Sequence, residues 1–505
     1  MARTGSAFPF VLSPRKRGTP AARWLYEALR EAILECRLDL GARLPTTREL
    51  AREYGLARGT VVTAFENLKA EGYVHATVGS GTFVACELPE SLLVAPRARG
   101  AAPSEAPKRH LSAAARRIQP LFGYAEGRAP AFRLGQPALD RFPTTLWAQV
   151  ASRRMRMATP KLLLGCDAMG HVPLRKAIAE YLVTARGVRC TPEQVAIVSG
   201  TLEALGIVTR LLVDPGERVV IEEPGYTGAR LALEAAGARV ATVDVDDDGL
   251  VIDARRMKKA RLVYVTPAHQ YPLGVSMSVS RRLALLDWAR AEGATIFEDD
   301  YDSEYRYCGP PMPSMQGLDQ ADRVVFSGSF SKVLFPSLRL AYVVLPPDLV
   351  EPFAATISVT SRHAPVLDQA VLADFIEGGH FGRHIRRMRE VYAERHAALM
   401  EGARDLGDLF DLCSIEAGLQ TVGALREGID AEEVAARAAE RGIEVKPVDD
   451  RRLLLGFAAV EPAETRRGLR VLREVIESVA RAPRRAPRDR QSSPSARPMA
   501  GRSGR

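Results

Sequence analysis

Short apolar segments recur along the chain from residue 194 onwards, and amphipathic stretches separate them. The apolar segments are QVAIVSG, RVVIEEPGY, RLVYVTPAH, ATIFEDDY and RVVFSGSFSK. Between the third and the fourth lies RRLALLDWARAEG, whose apolar residues recur at helical spacing. The strands of a parallel sheet are apolar throughout, because helices cover both faces of the sheet. The alternation therefore predicts an α/β domain built on a mostly parallel sheet.

Composition shifts divide the chain into five predicted regions. A compact unit spans residues 21–86, and the α/β domain, which ends in a small α+β subdomain, spans residues 132–478. An N-terminal arm (1–20), a linker rich in Pro, Ala and Arg (87–131) and a basic tail (479–505) make up the rest. The tail is predicted to be disordered. At 505 residues and 46% hydrophobic content, the chain can bury a large core.

Charge and cysteine spacing limit the class of protein. The formal net charge is +9, but the segment 481–505 alone holds eight Arg and one Asp, so overall charge says little about a nucleic-acid partner. The two cysteines nearest in sequence, Cys166 and Cys190, are 24 positions apart, which excludes CxxC clusters. No apolar run is long enough for a membrane span. We therefore expect a soluble protein of the reducing cytoplasm.

Residues 21–86 carry the signals of three helices and a hairpin. The apolar stripe predicted for the first helix consists of Leu25, Leu29, Ile33 and Cys36, with the end of the helix at the segment Gly41 to Pro45. The sequence TTRE from Thr46 is a capping box that begins a second helix, and a third is predicted from Arg58 to about Glu71. Alternating residues around VGSG predict a hairpin. This order of elements predicts a winged helix-turn-helix.

The run GARLPTTRELAREYGLARGTVVTAFENLKAEGYVHATVGSGTFV resembles the DNA-binding domain of GntR-type transcription regulators. The resemblance implies that Arg48 contacts phosphate or base, that Arg58 and Thr60 read the major groove of double-stranded operator DNA, and that Gly79 approaches the minor groove. An Arg side chain can bond guanine in bidentate fashion, and glycine lets the backbone come close to DNA. Ala57 departs from the usual Ser or Thr helix cap. The alternative is an interaction module whose arginines are only surface charge.

Polar residues follow two of the predicted strands and indicate a ligand site. Lys332 comes shortly after RVVFSG, with Ser329 before it and Arg339 after it, and Asp299 and Tyr301 end ATIFEDDY. The carboxyl ends of parallel strands commonly hold a ligand. An aldehyde cofactor that carries a phosphate and a pyridine ring would use each of these groups.

Each of these groups has a predicted role towards such a cofactor. The amine of Lys332 would form a Schiff base with the aldehyde, and Asp299 would keep the ring nitrogen protonated. Tyr301 would donate to the ring oxygen, and Tyr226 would stack on the ring. The phosphate would be bound by Ser329, Arg339 and the backbone amides of Ser199, Gly200 and Thr201.

Together these features resemble the fold-type I, aminotransferase-like enzymes that depend on pyridoxal 5'-phosphate. A winged helix joined to such a domain is similar to the MocR subfamily of GntR regulators. The resemblance implies a homodimer that holds pyridoxal 5'-phosphate through an internal aldimine at Lys332 and senses the coenzyme or an amino compound. His269 and Gln270 lie where enzymes of this class often carry a loop near the ring, so His269 either contacts the cofactor or makes a loop hydrogen bond.

The α/β domain departs from the family pattern in three places, one of which is Ala341 in place of the glycine of the usual LRLGY run. Gly165 and Cys166 stand where relatives carry a Tyr that reaches the cofactor phosphate of the partner subunit, so one phosphate contact is missing. Leu454 stands where aminotransferases carry the arginine for the substrate carboxylate, which leaves Arg451 or Arg452 as weak substitutes. Amino-acid turnover is therefore not expected.

The sequence predicts a transcription regulator whose aminotransferase-like domain is a sensor. Two alternatives stay open at this point. One is a working aminotransferase with a DNA-binding domain for autoregulation, since Lys332 could also act as the base. The other is a protein that binds DNA without any cofactor.

Overall fold

The computed structural model describes residues 12–15, 18–77, 80–88, 109–112, 115–116, 118, 121, 129–307 and 312–481. The chain divides into two compact units between residues 110 and 111. Within these described ranges, no helix combines the length and the hydrophobicity that crossing a lipid bilayer requires.

The N-terminal unit contains three helices and a two-stranded sheet. Its elements are α1 (Ala21–Leu34), α2 (Thr47–Glu53), α3 (Arg58–Ala70), β1 (Val74–Thr77) and β2 (Gly81–Val84). The strands pair antiparallel. Leu25, Leu29, Val61, Phe65 and Leu68 are among the buried residues of its core. The predicted winged helix-turn-helix is confirmed, and so is the capping box, because Thr46 and Glu49 exchange both hydrogen bonds.

The prediction for the end of α1 was wrong. The helix stops at Leu34, and Cys36 is exposed with a left-handed φ of 55°. The amides of Arg37 and Leu38 both donate to the carbonyl of Ala32, which closes the helix, and the side chain of Leu38 is buried in place of Cys36. The helical spacing of Cys36 was therefore coincidental.

An eight-stranded sheet forms the centre of the large unit. Its strands are β3 (Val195–Val198), β4 (Arg218–Glu223), β5 (Arg239–Asp246), β6 (Gly249–Leu250), β7 (Ala260–Val265), β8 (Thr295–Asp300), β9 (Val324–Ser329) and β10 (Ala341–Val344). They lie in the order β3-β10-β9-β8-β7-β4-β5-β6. Strands β4, β5, β7, β8 and β9 are parallel, whereas β10 runs antiparallel to both of its neighbours and β6 runs antiparallel to β5. The mostly parallel sheet predicted from the sequence is confirmed.

Helices pack on both faces of this sheet. The helices of the large unit are α4 (Thr144–Arg156), α5 (Pro160–Leu164), α6 (Val172–Arg186), α7 (Thr201–Leu212), α8 (Thr227–Ala235), α9 (Val279–Glu292), α10 (Met315–Leu318), α11 (Phe330–Val333), α12 (Pro347–Thr360), α13 (Val366–Glu377), α14 (His380–Ala403), α15 (Ala431–Glu440) and α16 (Pro462–Arg481). Successive residues of β9 enter different cores: Val325 packs with residues of α7, and Phe326 packs with residues of α6 and α14. Burial on both faces explains why these strands are apolar throughout.

A smaller antiparallel sheet lies in the C-terminal part of the large unit. It consists of β11 (Phe410–Leu412), β12 (Gln420–Leu425), β13 (Lys446–Pro447) and β14 (Arg452–Gly456), in the order β11-β12-β14-β13. The start of the unit joins it, because Ala131 bridges to Ile443 and the carbonyl of Phe132 accepts from the amide of Gly456. This attachment fixes the segment that continues to Leu134 and Gly135.

Candidate functional site

A cavity of about 410 Å³ lies at the carboxyl ends of the central strands. Residues that follow β8 and β9 line it, together with the first residues of α7. The residues singled out from the sequence that line it are Lys332, Asp299, Tyr301, Gly200, Thr201, Tyr226, Ser329 and Arg339. The lining within the described residues does not include Ser199 or His269. The cavity is within the size range of small-molecule and cofactor sites.

Lys332 lies at the cavity wall in the short helix α11, directly after β9. Its Nζ donates to the backbone carbonyl of Gly135 at 2.6 Å. Desolvation lowers the pKa of Lys332, and the negative charges of Asp302 and Asp299 oppose that shift. Gly135 has a left-handed φ of 60°, which favours glycine, and a Cβ atom there would displace Nζ. The amine is therefore held in place and shifted towards the neutral form, which is the nucleophilic one.

Asp299, the fifth residue of β8, is 4% exposed and has one carboxylate oxygen without a partner. Its Oδ2 accepts from the hydroxyl of Tyr264 at 2.6 Å. Its Oδ1 is buried and has no hydrogen-bond partner among the described residues. Burial raises the pKa of Asp299 to about 7. A buried acceptor without a hydrogen bond costs free energy. This oxygen therefore suits a ligand that donates a hydrogen bond, such as a protonated ring nitrogen.

Tyr301 is supported from behind by a buried His and Asp. The Nδ1 atom of His269 lies 3.1 Å from the hydroxyl of Tyr301 and 3.1 Å from Oδ2 of Asp302. His269 and Asp302 are 3% and 1% exposed, and a Cβ atom at Gly418 would collide with the His269 ring. Gln270 makes the loop hydrogen bonds, because its amide nitrogen donates to the carbonyls of Pro224 and Tyr271. His269 therefore acts on the cavity through Tyr301.

One end of the cavity is suited to an anion. Arg339 lies beside the N-terminus of α7, where a Cβ atom at Gly200 would be 3.3 Å from its Nη2. Arg339 has a left-handed φ of 50°, which is uncommon for a residue other than glycine and is often found at functional sites. Ser329 and Thr201 line the same end. A helix N-terminus, a guanidinium and hydroxyl groups together favour a phosphate.

A carboxylate lies at this same end of the cavity. Glu203, in the first turn of α7, accepts from the backbone amide of Ser199 at 2.6 Å and from the hydroxyl of Ser361 at 3.1 Å. The amide of Ser199 is therefore engaged by Glu203, although the sequence assigned it to the phosphate. Glu203 lines the cavity, so its negative charge would act against a bound phosphate.

Aromatic rings form one wall of the cavity. Tyr226 and Tyr271 meet edge to face, with ring centres 5.6 Å apart. A Cβ atom at Gly228 would lie 2.5 Å from the ring of Tyr226, so glycine there leaves room for that ring. Burial raises the pKa of Tyr226, which keeps its hydroxyl neutral. Such a wall suits a flat ring.

The departures of the α/β domain from the family pattern lie away from the lining that the structure describes. Leu454 is buried in β14, Arg451 donates to the carbonyl of Leu425, and Arg452 pairs with Asp449 at 2.6 Å. Arg451 and Arg452 are both absent from the lining, as are Gly165 and Cys166. Desolvation raises the pKa of Cys166 to about 11, so its thiol is not activated.

The residues predicted to contact DNA lie on the surface of the N-terminal unit. Arg48 in α2 and Arg58 at the start of α3 are exposed, and neither side chain makes a hydrogen bond or ion pair with another described residue. Thr60 is half-buried. Gly79 lies outside the described residues. Ala57, which precedes α3, provides no side-chain cap.

The sequence reasoning missed several residues of the cavity. Asp302, Gln420, Leu134 and Gly135 line it, and Tyr264 holds Asp299. Asp302 had a signal, since it follows Asp299 by three positions in FEDDYD. Gln420 and Gly135 had none, because they come from distant parts of the chain.

The fold and the cavity together define a class. The large unit has the architecture of an aminotransferase, with Asp299 near the end of β8, Lys332 just after the neighbouring strand β9, and a cavity end suited to an anion at a helix N-terminus. The same chain carries a winged helix-turn-helix. The class is therefore that of DNA-binding proteins with an aminotransferase-like domain.

Comparisons with known proteins support this class and give the family. Residues 132–472 match the family model for aminotransferase class I and II, and residues 21–84 match that for bacterial regulatory proteins of the gntR family. The chain is 40% identical over 473 residues to the probable rhizopine catabolism regulatory protein MocR of Rhizobium meliloti, covering 92% of this chain and 95% of that relative. It is 31% identical to the pyridoxine biosynthesis transcriptional regulator PdxR of Corynebacterium glutamicum, covering 86% of this chain and 90% of that relative. The chain belongs to the MocR-type transcription regulators of the gntR family.

Solved structures agree for the large unit. The α-aminoadipate aminotransferase LysN of Thermus thermophilus, solved with N-(5'-phosphopyridoxyl)-L-leucine, is 28% identical with a TM-score of 0.66, covering 73% of this chain and 98% of that chain. A multiple substrate aminotransferase of Thermococcus profundus is 27% identical, also with a TM-score of 0.66 and the same coverage. The large unit therefore has the fold of aminotransferases that use pyridoxal phosphate.

Proposed function

We propose that this regulator holds pyridoxal 5'-phosphate at Lys332 and that the coenzyme, or an amine bound to it, changes its affinity for double-stranded operator DNA. The observation that carries this proposal is the pairing of two groups in one cavity. Lys332 has a desolvated amine, and Asp299 has a buried oxygen without a partner among the described residues. These are the two groups that an aldehyde with a protonated ring nitrogen would satisfy.

The other lining residues fit the rest of the coenzyme. Ser329, Arg339 and the amides at the start of α7 would bind its phosphate, and Tyr226 would stack on its ring. Tyr301 would donate to the ring oxygen, while His269 and Asp302 hold its hydroxyl in position. When bound, the coenzyme supplies an electrophilic carbon that captures a primary amine. The chain itself lowers the pKa of the Lys332 amine by desolvation and holds Nζ at the carbonyl of Gly135.

A sensor fits the cavity better than an amino-acid transaminase does. Lys332 and Arg339 are the only cations that line the cavity within the described residues, and the proposal uses both for the coenzyme. An amino-acid substrate would need a further positive group for its carboxylate. In a sensor, a ligand changes the affinity for DNA only if it binds two arrangements of the protein with different affinities. We propose a homodimer as the unit that has these two arrangements.

The test is to trap the coenzyme on the full-length protein. After incubation with pyridoxal 5'-phosphate and reduction with borohydride, peptide mass spectrometry should find the adduct on Lys332. Lys332→Ala should lose it, whereas the exposed control Lys258→Ala should keep it. A colourless protein without an adduct would contradict the proposal and favour DNA binding without a cofactor.

Two further measurements separate the sensor from the enzyme. DNA fragments selected by the protein should differ in affinity with and without pyridoxal 5'-phosphate or amines. Incubation with a panel of amino acids and 2-oxoglutarate should give no sustained product. Sustained turnover would instead favour a working aminotransferase that uses its winged helix for autoregulation.

A further inference from the structure

We propose that the cavity recognises an amine whose remaining part is uncharged and carries a hydroxyl or carbonyl oxygen, and that Gln420 binds this oxygen. This inference rests on the proposed function, because the coenzyme holds the amino group of the ligand. It goes further by assigning a chemical class to the ligand and a recognition role to a residue of the smaller sheet.

Gln420 belongs to the cavity lining, and its buried amide nitrogen has no partner among the described residues. It is the first residue of β12, is 4% exposed and lines the cavity. Its Nε2 has no hydrogen-bond partner among the described residues. Its backbone is held on a strand, in register with Gly456 of β14. A buried amide donor without a hydrogen bond costs free energy. A ligand that brings an acceptor oxygen is therefore favoured over one that brings none.

The charges around the cavity act against a carboxylate in the ligand. Within the described lining, the cations are Lys332 and Arg339. The proposed function assigns both of them to the coenzyme. The acidic residues Asp299, Asp302 and Glu203 line the same cavity. A ligand carboxylate would lose its water, meet no free positive partner and be repelled by these acids. An amino acid is therefore a poorer ligand than the corresponding amino alcohol.

A second positive charge in the ligand is also unfavourable at Gln420. The orphaned atom is an N–H donor, and a donor is repelled by a cation. Leu419, Leu134 and Pro336 contribute apolar surface to the same cavity. These residues favour a carbon chain or ring between the amino group and the oxygen.

One more cation, Lys446, lies near the cavity wall but outside the lining, and its ability to bind a ligand carboxylate has to be tested. Nζ of Lys446 is 5.8 Å from the ring centre of Tyr271, and Lys446 is exposed. An exposed ammonium stays hydrated and binds a carboxylate weakly. The inference therefore assigns no role in ligand binding to Lys446.

The experiment compares matched ligands on the coenzyme-loaded, full-length protein. Each set has the same carbon chain of three to five carbons: an alkylamine, the ω-amino alcohol and the ω-amino acid, for example propylamine, 3-aminopropan-1-ol and β-alanine. Binding is followed by the absorbance change of the bound coenzyme and by the change in DNA affinity. We expect one amino alcohol to bind about three- to tenfold more tightly than its alkylamine, the size of one hydrogen bond. Its amino acid should bind at least about tenfold more weakly than that alcohol.

Variants identify the residue that sets this preference. Gln420→Leu keeps the volume but removes the donor, so the advantage of the amino alcohol over the alkylamine should vanish. Gln420→Arg should turn the preference towards the amino acid, which checks the site even if the Leu variant is poorly folded. Gln149→Leu, the same change at an exposed position of α4, should keep the wild-type order of ligands. Lys446→Met should keep it as well.

The outcomes separate this inference from the proposed function. If the wild-type protein retains no coenzyme, the proposed function is wrong and this inference falls with it. If the loaded protein binds the amino acids best, or if Gln420→Leu keeps the preference for the alcohol, only this inference is overturned. Loss of amino-acid binding in Lys446→Met would show that Lys446, not Gln420, recognises the ligand.

Discussion

The surface predicted to contact DNA and the cavity place their functional groups in opposite environments. The side chains of Arg48 and Arg58 are exposed and make no hydrogen bond or ion pair with any other described residue. Asp299, His269 and Asp302 are buried. Asp299 accepts a hydrogen bond from Tyr264 across 35 positions of the chain, and His269 pairs with Asp302 across 33 positions. Exposed groups are hydrated in the free protein, so they cost the fold nothing. Buried groups are ordered before the ligand arrives, and the fold bears the cost of their burial.

Because of this difference, stability and function are separate at the DNA-contacting surface of the N-terminal unit, whereas they are coupled in the cavity of the large unit. Burial raises the pKa of Asp299 and of Glu222, which lies behind the cavity, to about 7. Both carboxyl groups are therefore held in an environment that disfavours their charge. Substitutions in the cavity should change stability and ligand binding together, whereas substitutions on the DNA-contacting surface should change DNA binding alone.

The largest expected effect is that of Asp299→Asn, measured as stability. The folded pKa of about 7 lies above the unfolded value of about 3.9, so from pH 4 to 7 the unfolded state loses a proton that the folded state keeps. Asp299 therefore destabilises the cofactor-free protein increasingly over this range. Asparagine has no such cost and keeps an oxygen for Tyr264. At pH 8 the variant should gain about 1 to 4 kcal/mol in the free energy of unfolding, at about 1.4 kcal/mol for each pKa unit.

Urea unfolding of the cofactor-free protein at pH 8 and pH 4.5 measures this effect, which should be small at the lower pH. The same variant should bind pyridoxal 5'-phosphate at least about tenfold more weakly, because the charge partner of the ring nitrogen is lost. The exposed Asp247→Asn is the control and should change neither property. A variant that is less stable at both pH values would contradict the view that Asp299 is held at a cost.

The same contrast explains which parts of the molecule could be predicted from sequence. The capping box at Thr46 and the strand ends at Asp299 and Lys332 are local signals, and each was found. Gly135 contacts Lys332 across 197 positions, and Gln420 reaches the cavity from another sheet. Hydrophobic periodicity carries no information about such distant pairs. Cys36 was assigned to α1 because a periodic pattern does not reveal where the backbone turns.

Arg58→Ala should have the next largest effect, on DNA binding. Removing a bidentate contact to a base weakens specific binding by about 1 to 3 kcal/mol, which is about five- to 150-fold. Because the Arg58 side chain makes no bond to another described residue, the melting temperature should stay unchanged. Titration of a selected DNA fragment gives the affinity. Lys69→Ala is the control, because it removes an equal charge at the other end of α3. An equal loss of DNA affinity in that variant would show that Arg58 contributes only its charge and reads no base.

Ala57→Ser tests stability on the DNA-contacting side of the comparison. The backbone before α3 is extended and has no side-chain cap, so a serine hydroxyl could accept from the free amides of the first turn. The N-terminal unit should gain about 1 kcal/mol in its free energy of unfolding. Ala57→Val, which adds bulk without an acceptor, should give no gain. Thermal unfolding monitored by the fluorescence of Trp24, which lies in this unit, measures the change. A similar gain from valine would show that packing, rather than capping, is responsible.

The smallest effect is expected from Glu203→Gln at the anion end of the cavity. Glutamine keeps an oxygen for the amide of Ser199 but removes a negative charge from the place proposed for the phosphate. Pyridoxal 5'-phosphate should bind about two- to fivefold more tightly, the size expected for a solvent-screened charge a few ångströms away. The gain should shrink at high salt. Glu180→Gln, which is exposed on α6, should give no gain. Weaker binding in Glu203→Gln would mean that the carboxylate organises the site more than it repels the phosphate. Glu203 would then behave like the buried groups of the cavity, whose substitution changes the structure of the site as well as its charge.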